Sequence, residues 1–244
     1  MKKLGVALAL VGGLCAVAQL QPGDLAIIAF NSDSPDDFAW VALRDIPAGT
    51  VLKFTDSSVS NGYFRWSEHL ASGSQKFGLG GPLIWSNSVP LDRGIVVRFD
   101  ATTTNWSLGQ LAGNYPLLSS SGDQLFVYHG AITFNPGQPK GYEGDGQNAG
   151  MLFGVNFANG GWSSRGGPNY SEVPFGLSVE SLTAIHVGPR DNGYYAGITT
   201  GTVAEIRRAI ADTNNWITSD SRIPSSRWPA RFEILPEVPL VEFY

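Results

Sequence analysis

Apolar residues in this chain fall into short runs, each closed by Gly, Pro, Asn, Asp or Ser. The runs at residues 25–30, 38–43, 51–55, 94–99, 124–129, 182–187 and 231–235 have the length of β-strands. Several alternate as half-buried strands do. In Val51–Thr55, Leu52 and Phe54 share one face, while Val51, Lys53 and Thr55 take the other. Phe126 and Tyr128 oppose Leu125 and Val127 in the same way. Between the second and third runs, Pro47 and Gly49 mark a turn that makes the flanking strands antiparallel neighbours. One segment has a helical period instead. Thr202 followed by Glu205 forms a capping box, and Val203, Ile206, Ala209 and Ile210 make an apolar stripe. This predicts a helix near residues 202–213, closing at Asn214 and Asn215. No strand–helix–strand alternation occurs elsewhere, so the pattern predicts a mainly β protein. Its form is an antiparallel β-sandwich, or an open barrel, with one short packed helix. No internal repeat or linker divides residues 22–244, which read as a single domain. Residues 57–77 and 130–171 exceed ordinary connection lengths and predict functional loops or further strands. Within them, residues 135–139 and 160–167 read as exposed excursions.

The first 18 residues have another pattern. Lys2 and Lys3 precede an apolar stretch, and Ala16-Val17-Ala18 supplies small residues before a cleavage point. The stretch is shorter than the roughly 20 residues that span a bilayer, so it reads as a secretory signal. On this reading no membrane span remains after cleavage. Cys15 is the only cysteine and lies within the signal, preceded by Leu14 rather than the small residue that lipidation requires. A mature chain so produced has no disulfide and no cysteine-ligated zinc, and must be stabilised by an apolar core. With 43% hydrophobic residues the chain can build one. Its net charge is −5 and no Lys/Arg run is longer than two, which argues against a nucleic-acid partner.

Familiar catalytic signatures are absent from the sequence: no Gly-x-Ser-x-Gly, no His-Glu-x-x-His and no phosphate-cradling glycine loop. Three histidines (His69, His129 and His186) leave a triad to be assembled only by the fold. The acids carry more. Asp33, Asp36, Asp37 and Asp56 stand at strand ends among Asn and Ser, and such oxygens can hold calcium, the one cofactor candidate. The same residues also make Asx-turns, and none follows EF-hand spacing. Residues 142–148 form a second acidic, Gly-spaced loop open to both readings. Seven tryptophans invite glycan stacking. Trp40 and Trp216 belong to apolar segments and read as core. Trp66, Trp106 and Trp162 lie in polar surroundings and are the candidates for exposed stacking platforms.

A set of motifs spread over most of the chain resembles an uncharacterised family of secreted and cell-surface bacterial β-sandwich domains. They are Gly23-Asp24, Asp36-Asp37-Phe38, Ile46-Pro47-Ala48-Gly49-Thr50, Phe54-Thr55-Asp56 and Ser121-Gly122-Asp123-Gln124-Leu125. Gly201-Thr202 and Asn215-Trp216, at either end of the expected helix, complete the set. The Pro-Ala-Gly-Thr turn also has a faint resemblance to lamin-tail immunoglobulin-like sandwiches. Neither resemblance implies a catalytic residue. Together they imply a secreted or cell-envelope, non-enzymatic protein with a structural or adhesive role. Its expected partners are further copies of itself or cell-surface glycan. Alternatives are a carbohydrate-binding module using exposed tryptophans, and a calcium-dependent hydrolase with Asp56, Glu68 and His69 in one pocket. The closing segment alternates at residues 231–235 and is then broken by Pro236 and Pro239. It suits an edge strand, on its own sheet or on that of a neighbouring copy.

Overall fold

Two six-stranded sheets face each other across a core to which both contribute fully buried side chains. The computed structural model describes residues 19–65, 82–114, 116–139 and 141–237. In chain order the strands are β1 (Leu25–Asn31), β2 (Asp37–Ala42), β3 (Val51–Thr55), β4 (Val59–Ser60), β5 (Tyr63–Phe64), β6 (Leu83–Ser86), β7 (Val96–Asp100), β8 (Asn105–Trp106) and β9 (Gln110–Gly113). There follow β10 (Gln124–Gly130), β11 (Thr133–Phe134), β12 (Gly144–Asp145), β13 (Ala149–Asn156), β14 (Ala184–His186), β15 (Asn192–Tyr195), β16 (Thr200–Thr202), helix α1 (Val203–Ala211), β17 (Trp216–Ser219) and β18 (Glu233–Leu235). The first sheet has the order β17–β15–β1–β2–β7–β8 and the second β14–β13–β10–β3–β6–β9. Their pairings are antiparallel apart from β13–β14. A small sheet, β11–β12–β5–β4, and the parallel pair β16–β18 complete the described strands.

The sandwich forms because β2 places large rings on one side and small residues on the other. Phe38 lies 5.1 Å from Phe54 of the opposite sheet and 5.5 Å from both Phe99 and Trp106. Trp40 meets Trp85 edge-on at 5.0 Å. Such tilted and edge contacts are those that aromatic quadrupoles favour. The alternate residues, Ala39 and Val41, are buried too, so the outer face of this sheet is also covered. Ile206 and Ile210 of α1, with Ile223, Trp228, Phe232 and Ile234 of the closing segment, join the same core and supply that cover.

The helix begins where the capping box places it. Thr202 Oγ1 accepts from the Glu205 amide at 3.3 Å, and the Thr202 amide donates back to Glu205 Oε2 at 2.8 Å. It stops at Ala211, two residues before the expected limit. Asp212 then uses its carboxylate to accept from the Asn214 amide and starts a separate 3-10 turn, Thr213–Asn215.

One expectation is corrected, and the further strands expected in the long stretches are found. The turn at residues 45–50 does not join antiparallel neighbours, because β2 and β3 lie in different sheets. It is a sheet-to-sheet crossing held by Asn87, which accepts from the Thr50 amide at 2.9 Å and donates to the Pro47 carbonyl at 2.9 Å. The long stretch 130–171 also hides β13, whose eight residues are buried almost throughout and so show no alternation. Its glycines disguise it further. A Cβ on Gly154 would stand 2.7 Å from the Phe126 ring, so the strand needs glycine for close packing rather than for a turn. The signal at residues 1–18 and the tail at residues 240–244 lie outside the described residues. Among the described residues no helix is long and apolar enough to cross a membrane.

Candidate functional site

The acidic motifs meet at one end of the sandwich. Three of their carboxylates take the amides of three consecutive residues. Asp56 Oδ2 accepts from Leu117 at 2.8 Å, Asp36 Oδ2 from Leu118 at 3.0 Å, and Asp123 Oδ2 from Ser119 at 2.8 Å. Strands β2, β3 and β10 thus clamp the connection that follows β9. Gln124, fully buried beside them, donates its side-chain amide to the Asp56 and Pro168 carbonyls and to Asp123. Asp33 Oδ2 is met by Asn192 Nδ2 at 2.9 Å. Asp37 Oδ1 accepts from the Ala101 amide at 3.1 Å, and its other oxygen forms an ion pair with Arg222. Each of the four candidate calcium ligands therefore accepts from a protein donor. Among the described residues no group of three Asp, Glu, His or Cys side chains converges as a metal site. A calcium ion bound here would make the melting temperature sensitive to chelation by mass action. We expect the same melting temperature with and without chelator, and a fall of several degrees would instead show that a cation is held.

The clamp has an electrostatic cost. Burial pushes Asp36 up to about 7, with repulsion from Asp56 and Asp33 adding to it against the Leu118 amide and the Arg222 charge. Burial likewise pushes Asp56 up to about 6, against its bond from the Leu117 amide. An acid whose folded pKa is raised stabilises the fold below its unfolded value, and that contribution is lost as pH rises through the folded value. The melting temperature should therefore fall between about pH 4 and about pH 7, the span from the unfolded value to the folded ones. Asp36→Asn keeps an acceptor for Leu118 without the charge. It should stabilise the protein by on the order of 1–3 kcal/mol at about pH 8 and flatten the pH profile. A variant profile parallel to the native one would contradict this.

Next to the clamp, on the outer side of the first sheet, lies a cleft of about 540 Å³. The Asp37–Arg222 pair forms one wall. Arg98 projects from β7 and donates to the carbonyls of Trp228 and Pro229, each at 3.3 Å, which fixes the opposite wall. Asn31 anchors the same closing segment. It is fully buried and exchanges two 3.0 Å bonds with the backbone of Ile223. Thr102, Thr103 and Asn105 line the rim. Asp100 stays ionised there: burial opposes its charge, but bonds from Thr102 and Thr103 outweigh that and hold it below its ordinary range. Two residues lining this cleft carry a buried donor with no protein acceptor, Arg222 its Nε and Trp228 its Nε1. A buried unsatisfied donor costs about 1–3 kcal/mol, and a ligand acceptor or water removes that cost.

The predicted tryptophan platforms fare differently. Trp106 is only 4% exposed and packs into the aromatic core, its ring nitrogen donating to the Ile84 carbonyl at 3.1 Å. It borders the cleft but has no open face for stacking, a correction to its expected exposure. Its polar neighbours Asn105 and Ser107 are misleading because the two-residue strand β8 turns the ring inward. Trp162 is half-buried and stacked on Phe126, with 5.8 Å between ring centroids. Trp66, Glu68 and His69 lie outside the described residues. His186 contacts the Ala158 carbonyl, and His129 meets Gln19. Trp228, which the sequence did not single out, lines the cleft, and its buried ring nitrogen has no protein acceptor. Comparison with family models, curated proteins and solved structures finds no match to this chain.

Proposed function

We propose that this chain is a secreted or cell-envelope protein with a structural or adhesive role, and that it acts by holding a saccharide of a cell-surface glycan in the cleft. The observation that carries this reading is that two residues lining the cleft, Arg222 and Trp228, each keep a buried donor, Nε and Nε1, without a protein acceptor. The lining pairs two arginines, Arg98 and Arg222, with two aspartates, Asp37 and Asp100, so its formal charges cancel. A neutral polyhydroxyl ligand suits such a balance, since hydroxyls both accept and donate. The recognition differs from ring stacking on exposed tryptophans, because here the aromatic residues set the shape while polar edges make the bonds. An immobilised panel of neutral oligosaccharides tests the reading. Saturable capture of at least one of them is expected, and no capture across the panel would contradict it.

Self-association has one observation in its favour. Strand β17 is an edge of the first sheet, and Ile217 on it is 45% exposed. Light scattering on the native protein distinguishes a monomer from an assembly.

A further inference from the structure

A second groove, of about 570 Å³, lies further along the same pair of chain segments. Residues 93–100 and 222–234 run side by side. Ile95 bridges Arg231 in antiparallel fashion, the Phe232 amide donates to the Gly94 carbonyl at 2.8 Å, and Arg98 holds Trp228 and Pro229. The saccharide cleft sits towards one end of this pairing and the second groove towards the other. Gly94 lets the two segments approach closely beside the groove. Its φ is +84°, and a Cβ there would stand 2.1 Å from the Phe232 carbonyl oxygen, so the two backbones are in contact. Arg93 and Arg231 enter the groove from the two segments, and Thr199 and Thr200 supply polar groups beside them. Among the described residues neither guanidinium has an acidic partner. The ion pairs there are Arg44–Asp24, Arg190–Asp220 and Arg222–Asp37. The one acid in the groove, Glu233, accepts from Thr200 Oγ1 at 3.3 Å.

Arg93 and Arg231 bring two positive charges without an acidic partner to one groove, and an oxyanion bound there gains charge-assisted hydrogen bonds from them. The placement is selective because the chain as a whole carries a net charge of −5. We propose that this groove binds the anionic groups, carboxylate or sulfate, of an acidic polysaccharide whose neighbouring sugar units occupy the cleft. The assignment of the polymer rests on the saccharide reading above, whereas the anion site rests on Arg93 and Arg231 alone. Arg93 and Arg98 are five residues apart, roughly 15 Å along extended chain, so one oligosaccharide can reach both sites.

The test uses the full protein with hyaluronate oligomers, κ-carrageenan oligomers and neutral dextran oligomers as probes, the first two alternating an acidic sugar, carboxylated or sulfated, with an uncharged one. The native protein should bind one of the two acidic probes more tightly than dextran, with an affinity that falls as salt is added. Which of the two binds identifies the anion. Arg93→Ala/Arg231→Ala should weaken that binding by about tenfold or more and leave neutral-sugar binding and melting temperature unchanged. Acidic probes bound no better than neutral ones, or equally well by the double variant, would overturn the proposal while the saccharide reading stands. Acidic binding that depends on Arg93 and Arg231 but ignores Asn105→Ala in the cleft would support the anion site and count against the cleft.

Discussion

Phe38→Ala is expected to destabilise the protein by about 3–5 kcal/mol, the range for emptying a large buried aromatic site. Phe38 is fully buried and touches four strands: its own, β3 through Phe54, β7 through Phe99 and β8 through Trp106. Phe54 and Phe99 each pack against Trp106 as well, with centroids 5.2 and 5.3 Å apart, so they cannot easily collapse into the space. For a chain of this length the melting temperature should fall by roughly 10 °C, as measured by calorimetry at about pH 6. A loss below about 1 kcal/mol would mean that the two sheets are not joined through this cluster.

Arg222→Ala is the second large effect, and its cause is electrostatic. The Asp37 side chain is 7% exposed and has Arg222 as its ionic partner. Removing one member of a fully buried pair costs about 3–5 kcal/mol, and because Arg222 is 33% exposed water can reach part of this site, which lowers the figure. The Ala101 amide still donates to Asp37 Oδ1, which places the expected loss at the lower end of that range. Asp37→Asn in the Arg222→Ala background removes the stranded charge and should recover more than half of the loss. Equal stability of the single and double variants would show that lost side-chain packing, not charge, is responsible. Chemical denaturation of both variants decides between the two.

The sandwich was legible wherever a strand has one apolar face, as in β3, or is apolar from end to end, as in β1. The helix was legible from Thr202 and Glu205 because capping is a local interaction. Strand β13 was hidden by its burial and by glycines that pack against rings. The sheet crossing after β2 was hidden because Pro47 and Gly49 mark a turn without stating what it connects. At the site, the sequence offered Asp36, Asp37 and Asp56 as calcium ligands or turn formers, and the backbone amides they take are visible only in three dimensions. The amides they clamp belong to a connection far away in sequence, and no local pattern announces it. The cleft was less legible still. No sequence motif marks Arg98 or Arg222, and Trp228 sits among Ser, Arg and Pro like many exposed residues, yet it is 3% exposed. What reveals it is the absence of an acceptor for its buried N–H, a property of packing alone.

The central claim is that the cleft beside Arg98, Arg222 and Trp228 is a saccharide site on a preformed scaffold. Calorimetric titration of the native protein and of Thr102→Ala/Asn105→Ala with the neutral oligosaccharide best retained on the panel tests it most directly. Both residues lie on the cleft rim and outside the core clusters, so the variant should melt with the native protein. The account predicts saturable binding to the native protein and affinity weaker by about tenfold in the variant, the size expected for losing one or two ligand hydrogen bonds. Identical affinities for native protein and variant, or no saturable heat with any oligosaccharide, would contradict it.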